Sequence, residues 1–166
     1  EFRRVLFRSI ENPSRLFNSL TIRPGDIVTI HQEACKNLHR DIISLKKLGA
    51  KVGIALNPGT HINTLEYVVE ELDHILIMTV NPGYKGQELV SRTLGKIGDL
   101  SERVSNLGLA PTIGVDGNVN PTTIPEMVKN GATFFVGGSS GLFVKGKTLT
   151  ESLGDLRNSI EKAKSA

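Results

Sequence analysis

Residues 74–80, His-Ile-Leu-Ile-Met-Thr-Val, form a nearly unbroken apolar run of strand length. The run does not alternate, so both of its faces have to be covered. In a chain of this size that describes a buried parallel strand with helices packed over it. The same grammar recurs on either side. Strand-like segments fall at 26–31, 51–56, 111–116 and 133–137. Between them lie helix-like segments: a short one over 12–20 opened by Asn12-Pro13, an amphipathic one over 37–48 stopped by Gly49, and one over 63–72 with Leu65, Val68, Val69 and Leu72 on a buried stripe. A long helix is expected over 88–107, another from Asn120-Pro121 to Asn130-Gly131, and a closing helix over 148–163. Five βα units in series, with no hairpin signal and no linker, imply a parallel sheet with right-handed crossovers. A five-stranded doubly wound sheet and an incomplete (β/α)8 barrel both satisfy this pattern.

Composition narrows the function classes. The 166 residues suffice for one domain with a real core. No apolar run reaches the roughly 20 residues of a membrane span, so no membrane association is expected. The single cysteine, Cys35, excludes an internal disulfide framework and fits a reducing, cytoplasmic setting. The formal charge is +3, of which residues 1–9 contribute +2, leaving +1 for the rest. That remainder has no basic stripe interleaved with aromatics, so nucleic acid is not an expected partner. Residues 1–9, Glu-Phe-Arg-Arg-Val-Leu-Phe-Arg-Ser, carry neither a cap nor a period and begin with the dipeptide a common cloning site encodes. They read as a non-native leader and are set outside the fold.

The chemistry concentrates at strand exits. Thr112-Ile-Gly-Val-Asp-Gly-Asn118 drives an apolar strand straight into a carboxylate and a glycine turn. Asp116 is thereby placed at the carboxyl edge of the sheet, where active sites of α/β folds gather. Three exits are built from small residues: Gly83 and Gly86 in the loop 81–87, Gly117, and Gly138-Ser139-Ser140. Such loops let backbone N–H groups close on an anion, and three from adjacent units point to a phosphate pocket, with residues 139–143 as a short extra helix. His31 ends its strand at this edge and reads as structural, Met78 as pocket wall or core, and His39, His61 and His74 as solvated or structural. No local spacing of His, Cys or Glu offers a metal site, and no Ser-His-Asp set emerges.

Those residues also carry a resemblance. Met78-Thr-Val-Asn-Pro-Gly-Tyr-Lys-Gly-Gln87 resembles the signature of the ribulose-phosphate 3-epimerase family, usually ending Asn-Pro-Gly-Phe-Gly-Gly-Gln, and Val115-Asp-Gly117 resembles its second signature. Gly53-Ile-Ala-Leu-Asn-Pro58, Asn12-Pro13 and His31-Gln-Glu33 fall where the family has similar residues. The resemblance implies a (β/α)8 TIM barrel of the ribulose-phosphate-binding type, incomplete here, with residues 10–166 as a partial catalytic domain of about five C-terminal βα units. It implies an isomerase that inverts C3 of a phosphorylated ketose, ribulose 5-phosphate to xylulose 5-phosphate, through an enediolate stabilised by one divalent metal ion (Zn, Fe, Mn or Co). Asp116 would be the second of two proton-carrying aspartates and a metal ligand. Gly83, Tyr84, Lys85, Gly86, Gly117, Asn118, Gly138, Ser139 and Ser140 would hold substrate and phosphate. The full-length form would be a homo-oligomer whose only other partner is the sugar phosphate.

The chain departs from the pattern in three ways. Lys85 and Asn118 stand where the family often has glycine. The loop Gly138-Ser-Ser-Gly-Leu-Phe143 is similar to that of allulose-6-phosphate 3-epimerases, which act on a hexulose, and is longer than the usual Gly-Ser-Ala-Ile-Phe. The family's first catalytic aspartate, two metal-binding histidines and a further carboxylate ligand have no counterpart, so the chain alone is expected to be inactive. The alternative reading is a non-catalytic phosphate-binding half-barrel. A doubly wound receiver of the response-regulator kind would need an acidic pair after its first strand and a late lysine, and neither is found.

Overall fold

The computed structural model describes residues 5–7, 11–83 and 86–165. Six strands form one sheet: β1 Val5–Phe7, β2 Ile27–His31, β3 Lys51–Leu56, β4 His74–Met78, β5 Thr112–Asp116 and β6 Phe134–Val136. Every neighbouring pair is parallel and the spatial order equals the chain order. A doubly wound sheet reverses its strand order at a switch point. This sheet never reverses, so it has the winding of a barrel, and among the described residues no pairing joins β1 to β6. Val5–Phe7, set outside the fold by the sequence reading, lies beside β2 in register Val5 to Ile27. The triplet Val-Leu-Phe is β-prone, and three ladder positions suffice to hold it at an edge.

The helices are α1 Leu38–Lys47, α2 Arg92–Asn106, α3 Ile124–Lys129 and α4 Leu149–Lys164. α1 ends as its sequence requires: Gly49 adopts φ +84° and its amide donates to the Lys46 carbonyl at 2.9 Å. α4 opens with a reciprocal cap in which Thr148 Oγ1 accepts from the Glu151 amide and Glu151 accepts from the Thr148 amide.

Elsewhere the expected helices are shorter or tighter. The segment 12–20 is a 3-10 helix, Pro13–Ser19, and Asn12 sits at φ 50° without a side-chain cap. The segment 63–72 is two 3-10 turns, Ile62–Leu65 and Val69–Glu71. Its stripe is buried as expected, with Leu65, Val68, Val69 and Leu72 all inside, but Asn63, Thr64, Tyr67 and paired β-branched valines resist a continuous α-helix. α2 starts at Arg92, and residues 88–90 lie outside any helix, the Val90 amide donating to the Thr79 carbonyl at 2.9 Å. α3 starts at Ile124 because Asn120 Oδ1 first accepts from the Thr122 and Thr123 amides, making a turn.

The sheet has two unlike faces. Val28, Ile30, Val52, Ile54, Ile75, Ile77, Ile113 and Val115 join Ile42, Leu45, Ile97 and Leu100 of the helices in one core. Each fully buried Leu or Ile there contributes about 1.5–3 kcal/mol. The opposite face carries Thr29, His31, Ala55, His74, Leu76, Met78 and, at the edge, Asp116. It is filled by alternating large and absent side chains, as barrel interiors are. A Cβ on Gly53 would lie 2.3 Å from Thr29 Oγ1, and one on Gly114 would lie 2.5 Å from the His74 ring.

Candidate active site

Asp116 is the last residue of β5, opposite Met78 on β4 and Val136 on β6. Its backbone is clamped by Thr79, whose amide and Oγ1 donate to the Asp116 carbonyl at 2.8 and 3.0 Å. The Thr79 hydroxyl also reaches the Gly117 carbonyl. Gly117 needs to be glycine twice over: its φ is +117°, and a Cβ would sit 2.9 Å from the Val80 amide nitrogen. Half-burial pushes the Asp116 carboxyl above the usual carboxylate range, while attraction to His31 and the Gly117 amide pull it partly back. The result is a carboxylate of raised basicity at the sheet edge.

His31 is 5% exposed, and its Nδ1 lies 3.4 Å from Glu33 Oε2. Glu33 Oε1 accepts from the Asn57 amide at 2.8 Å and from the Thr60 hydroxyl. Burial pushes the Glu33 carboxyl up, but hydrogen bonds from His31, Thr60 and Asn57 outweigh it and hold the group at about 2. Lys96 of α2 donates to the carbonyls of Asn57, Pro58 and Thr60 at 2.9, 2.7 and 2.8 Å. The sequence reading missed Glu33 as a working carboxylate and missed Lys96 altogether. The signals were faint: a His-x-Glu pair straddles the end of β2, and Lys96 directly precedes the buried Ile97. Cys35 donates to the His31 carbonyl at 3.2 Å, and burial followed by the Asp41 charge lifts its thiol to about 12, so it is inert at neutral pH.

The glycine loops adjoin one another. The exits of β4 and β5 meet at Thr79, Val80 and Gly117. Those of β5 and β6 meet where Ser140 Oγ donates to the Val119 carbonyl at 3.3 Å. Gly83, Gly86 and Gly138 have open space where a Cβ would be, and Gly83 and Gly86 have positive φ. Asn118 has φ 47°, a left-handed conformation asparagine tolerates, which explains how it stands where glycine is usual. Tyr84 and Lys85 lie outside the described residues. Residues 139–142 form a hydrogen-bonded turn on the Gly138 carbonyl rather than the expected short helix.

The donor set for a metal is thin. Asp116 is a suitable oxygen ligand, but among the described residues no group of three His, Cys, Asp or Glu side chains could hold an ion. These residues alone therefore do not fit the expected divalent metal. A concavity of about 660 Å3 lies on the helix-covered side, lined by Leu65, Tyr67, Val69, Leu100 and Arg103. It has neither the glycine loops nor a basic carboxylate, so the sheet edge is the better site on chemical grounds. No helix among the described residues is long and apolar enough to cross a membrane.

Comparison with known proteins gives the family. The family model described as the ribulose-phosphate 3 epimerase family matches residues 7–143, from the end of β1 to the loop after β6. Ribulose-phosphate 3-epimerase of Bacillus subtilis (strain 168) is 39% identical over 132 residues, 79% of this chain and 61% of that protein. The chloroplastic enzyme of Arabidopsis thaliana is 42% identical over 118 residues, 70% of this chain and 42% of that protein. The Synechocystis enzyme is 36% identical over 152 residues, 90% of this chain and 65% of that protein. The chain thus spans about two fifths to two thirds of the length of these relatives. With 137 consecutive residues matched and the expected barrel-type sheet beneath them, the chain belongs to the ribulose-phosphate 3-epimerase family.

Proposed function

We propose that this chain carries the phosphate-binding half of a ketose-phosphate 3-epimerase site, with Asp116 as one of its two proton carriers. The observation that carries the reading is a half-buried carboxylate of raised basicity at the tip of β5, flanked by the exits of β4 and β6. The C3 proton of a 2-ketose is acidified by the neighbouring carbonyl. A carboxylate shifted toward neutrality is a better base for it, and its protonated form a usable acid for the return step. Thr79 fixes where that carboxylate stands. The glycine exits at Gly83, Gly86, 117–118 and 138–140 offer backbone amides to the phosphate, which anchors the sugar away from the reacting carbon.

Inversion requires deprotonation from one face and protonation from the other, so a second carrier has to face Asp116 across the substrate. The described residues provide no second carboxylate at this edge beyond Glu33, which is committed to His31 and the 57–60 loop. A divalent metal would take Asp116 as one ligand and stabilise the enediolate oxygens, its other ligands coming from outside the described residues. On this reading the chain by itself binds sugar phosphate and does not turn it over. Ribulose 5-phosphate is the proposed substrate class, as the relatives' names suggest. The loop Gly138-Ser-Ser-Gly-Leu-Phe143, similar in sequence to that of the allulose-6-phosphate enzymes, keeps the hexulose allulose 6-phosphate as the second reading. A cytoplasmic setting is part of the proposal and rests on the lone thiol of Cys35.

The test is deuterium wash-in at C3 of both ketose phosphates, followed by proton NMR. The chain alone should show none. Mixed with a separately expressed N-terminal segment of a family member that supplies the missing carriers, it should exchange C3 of its own substrate. Exchange by the chain alone would overturn the half-site reading, and failure to bind either sugar phosphate would overturn the function.

A further inference from the structure

Lys96 needs explaining. α2 is already docked by Thr93, Ile97, Leu100 and Val104, all buried. An ammonium half-withdrawn from water adds little to that docking, and burial lowers its pKa, a sign of what the withdrawal costs. Yet its three N–H groups meet three backbone carbonyls, those of Asn57, Pro58 and Thr60, at 2.7–2.9 Å. Three donors on three convergent acceptors is the full capacity of a lysine and a poor match for the planar fork of an arginine. The loop so gripped is otherwise lightly held: its own turn is closed by one bond, from the Thr60 amide to the Asn57 carbonyl at 3.0 Å. It is also held although Asn57 Oδ1 is buried with no hydrogen bond.

The loop's other hydrogen-bonding groups face Glu33. The Asn57 amide and the Thr60 hydroxyl both donate to Oε1, leaving Oε2 toward His31 Nδ1. A carboxylate accepting from Nδ1–H fixes the imidazole as that tautomer, with the lone pair on Nε2. Three successive units of the sheet edge are thereby linked: β2 through His31 and Glu33, the β3 exit through residues 57–60, and the β4 unit through Lys96 of α2.

We propose that Lys96 is a positioning residue for the edge. By gripping the 57–60 loop it seats Glu33, and Glu33 holds His31 as the Nδ1–H tautomer on the sheet face that carries Asp116. The proposal deepens the epimerase reading and rests on it for its purpose, but the linkage itself can be observed without substrate.

The experiment is a ring 15N–1H correlation spectrum of the full chain at mildly alkaline pH, with His39, His61 and His74 as internal references, alongside amide hydrogen exchange. The wild type should show His31 protonated on Nδ1. Lys96→Met keeps the aliphatic stem and removes all three donors. It should shift His31 toward a mixture with the Nε2–H form and speed exchange of the Asn57 amide by about tenfold or more. Exchange at Ile54 and Ile75 in the strands should not change. Lys96→Arg, a milder change in case the Met variant folds poorly, should move both signals in the same direction. An Nε2–H tautomer in the wild type overturns the proposal whatever the variants do. Faster Asn57 exchange with an unmoved His31 signal also overturns it, by reducing Lys96 to a loop brace. Ribulose 5-phosphate is titrated separately: loss of binding would remove the functional reading, while the tautomer result would still decide this one.

Discussion

Two buried histidines lie on the same face of the same sheet and have opposite surroundings. His31, at the carboxyl edge, has a carboxylate against its Nδ1 and a second carboxylate, Asp116, within electrostatic reach. His74, two residues below in register at the start of β4, is fully buried, edge-on to Phe134 at 5.1 Å, and wedged over Gly53 and Gly114. Neither of its ring nitrogens makes a hydrogen bond of standard geometry, nor does the nearby Thr29 hydroxyl. Burial pushes the His74 imidazole down to about 4 against a weaker upward pull from the Thr112 backbone. The floor uses an imidazole as a filler and keeps it neutral. The edge surrounds the same side chain with charge. Barrel folds divide labour in this way, with stability at the amino ends of the strands and chemistry at the carboxyl ends.

The largest effect expected from breaking that division is at Asp116. In the reconstituted mixture, Asp116→Asn should lower C3 exchange by about 10³-fold, the usual scale of a lost general acid–base group. Because burial disfavours the charged form of Asp116, the same variant should melt no lower than the wild type. A fall in both activity and melting temperature would mean the edge is structural too. Next is Gly114→Ala at the floor. Its Cβ would fall 2.5 Å from the His74 ring and 2.9 Å from Leu76 Cδ1, in a wall of packed β-strands that cannot yield. A loss of about 3 kcal/mol is expected from urea unfolding, at the upper end of ordinary overpacking, with phosphate-loop chemistry untouched in the surviving folded fraction.

The floor should also declare itself through pH. A histidine whose folded pKa is about 4 and whose unfolded value is near 6.5 binds its proton more readily in the unfolded chain. Stability is therefore full above 6.5 and is lost as pH falls from 6.5 toward 4, by about 3 kcal/mol in all. Glu33 acts in a lower window: its folded pKa near 2 against a model-peptide 4.5 gives stability that is present above 4.5 and lost between 4.5 and 2. Urea midpoints measured across this range should thus fall in two steps. His74→Leu should erase the upper step and leave the lower one. An upper step that survives in this variant would assign it to another group.

Much of this arrangement was legible in the chain itself, because burial on two faces and βα alternation are local patterns. The strands at 51–56 and 112–116, the buried stripe of 63–72 and the edge position of Asp116 all follow from period and turn chemistry. What stayed hidden depends on tertiary partners. β1 exists only as a ladder on β2, and its arginine-flanked triplet has no period to announce it. The choice of 3-10 turns over an α-helix at 62–71 leaves the buried residues the same, so hydrophobic pattern cannot separate the two. Lys96 looks like any solvated lysine until the loop from another unit folds over it. Strand order, and with it the distinction between barrel and doubly wound sheet, is likewise a property of the assembled sheet.

The finest test of edge against floor concerns why small residues stand where they do. At the floor, Gly53 and Gly114 are small for want of room. At the edge, Asn118 stands in for glycine for want of a negative φ. Asn118→Gly should therefore be nearly neutral. Relief of the left-handed conformation, about 1 kcal/mol, offsets loss of the bond from Asn120 Nδ2 to Asn118 Oδ1 at 2.8 Å, also about 1 kcal/mol. The net change in urea midpoint should stay within about 1 kcal/mol, and affinity for the sugar phosphate should be retained because the backbone amides keep their directions. Asn118→Val places a β-branched side chain at the same positive φ and should cost clearly more. Equal losses from Gly and Val would show that the Asn118 side chain, and not the hand of its backbone, is what the edge requires.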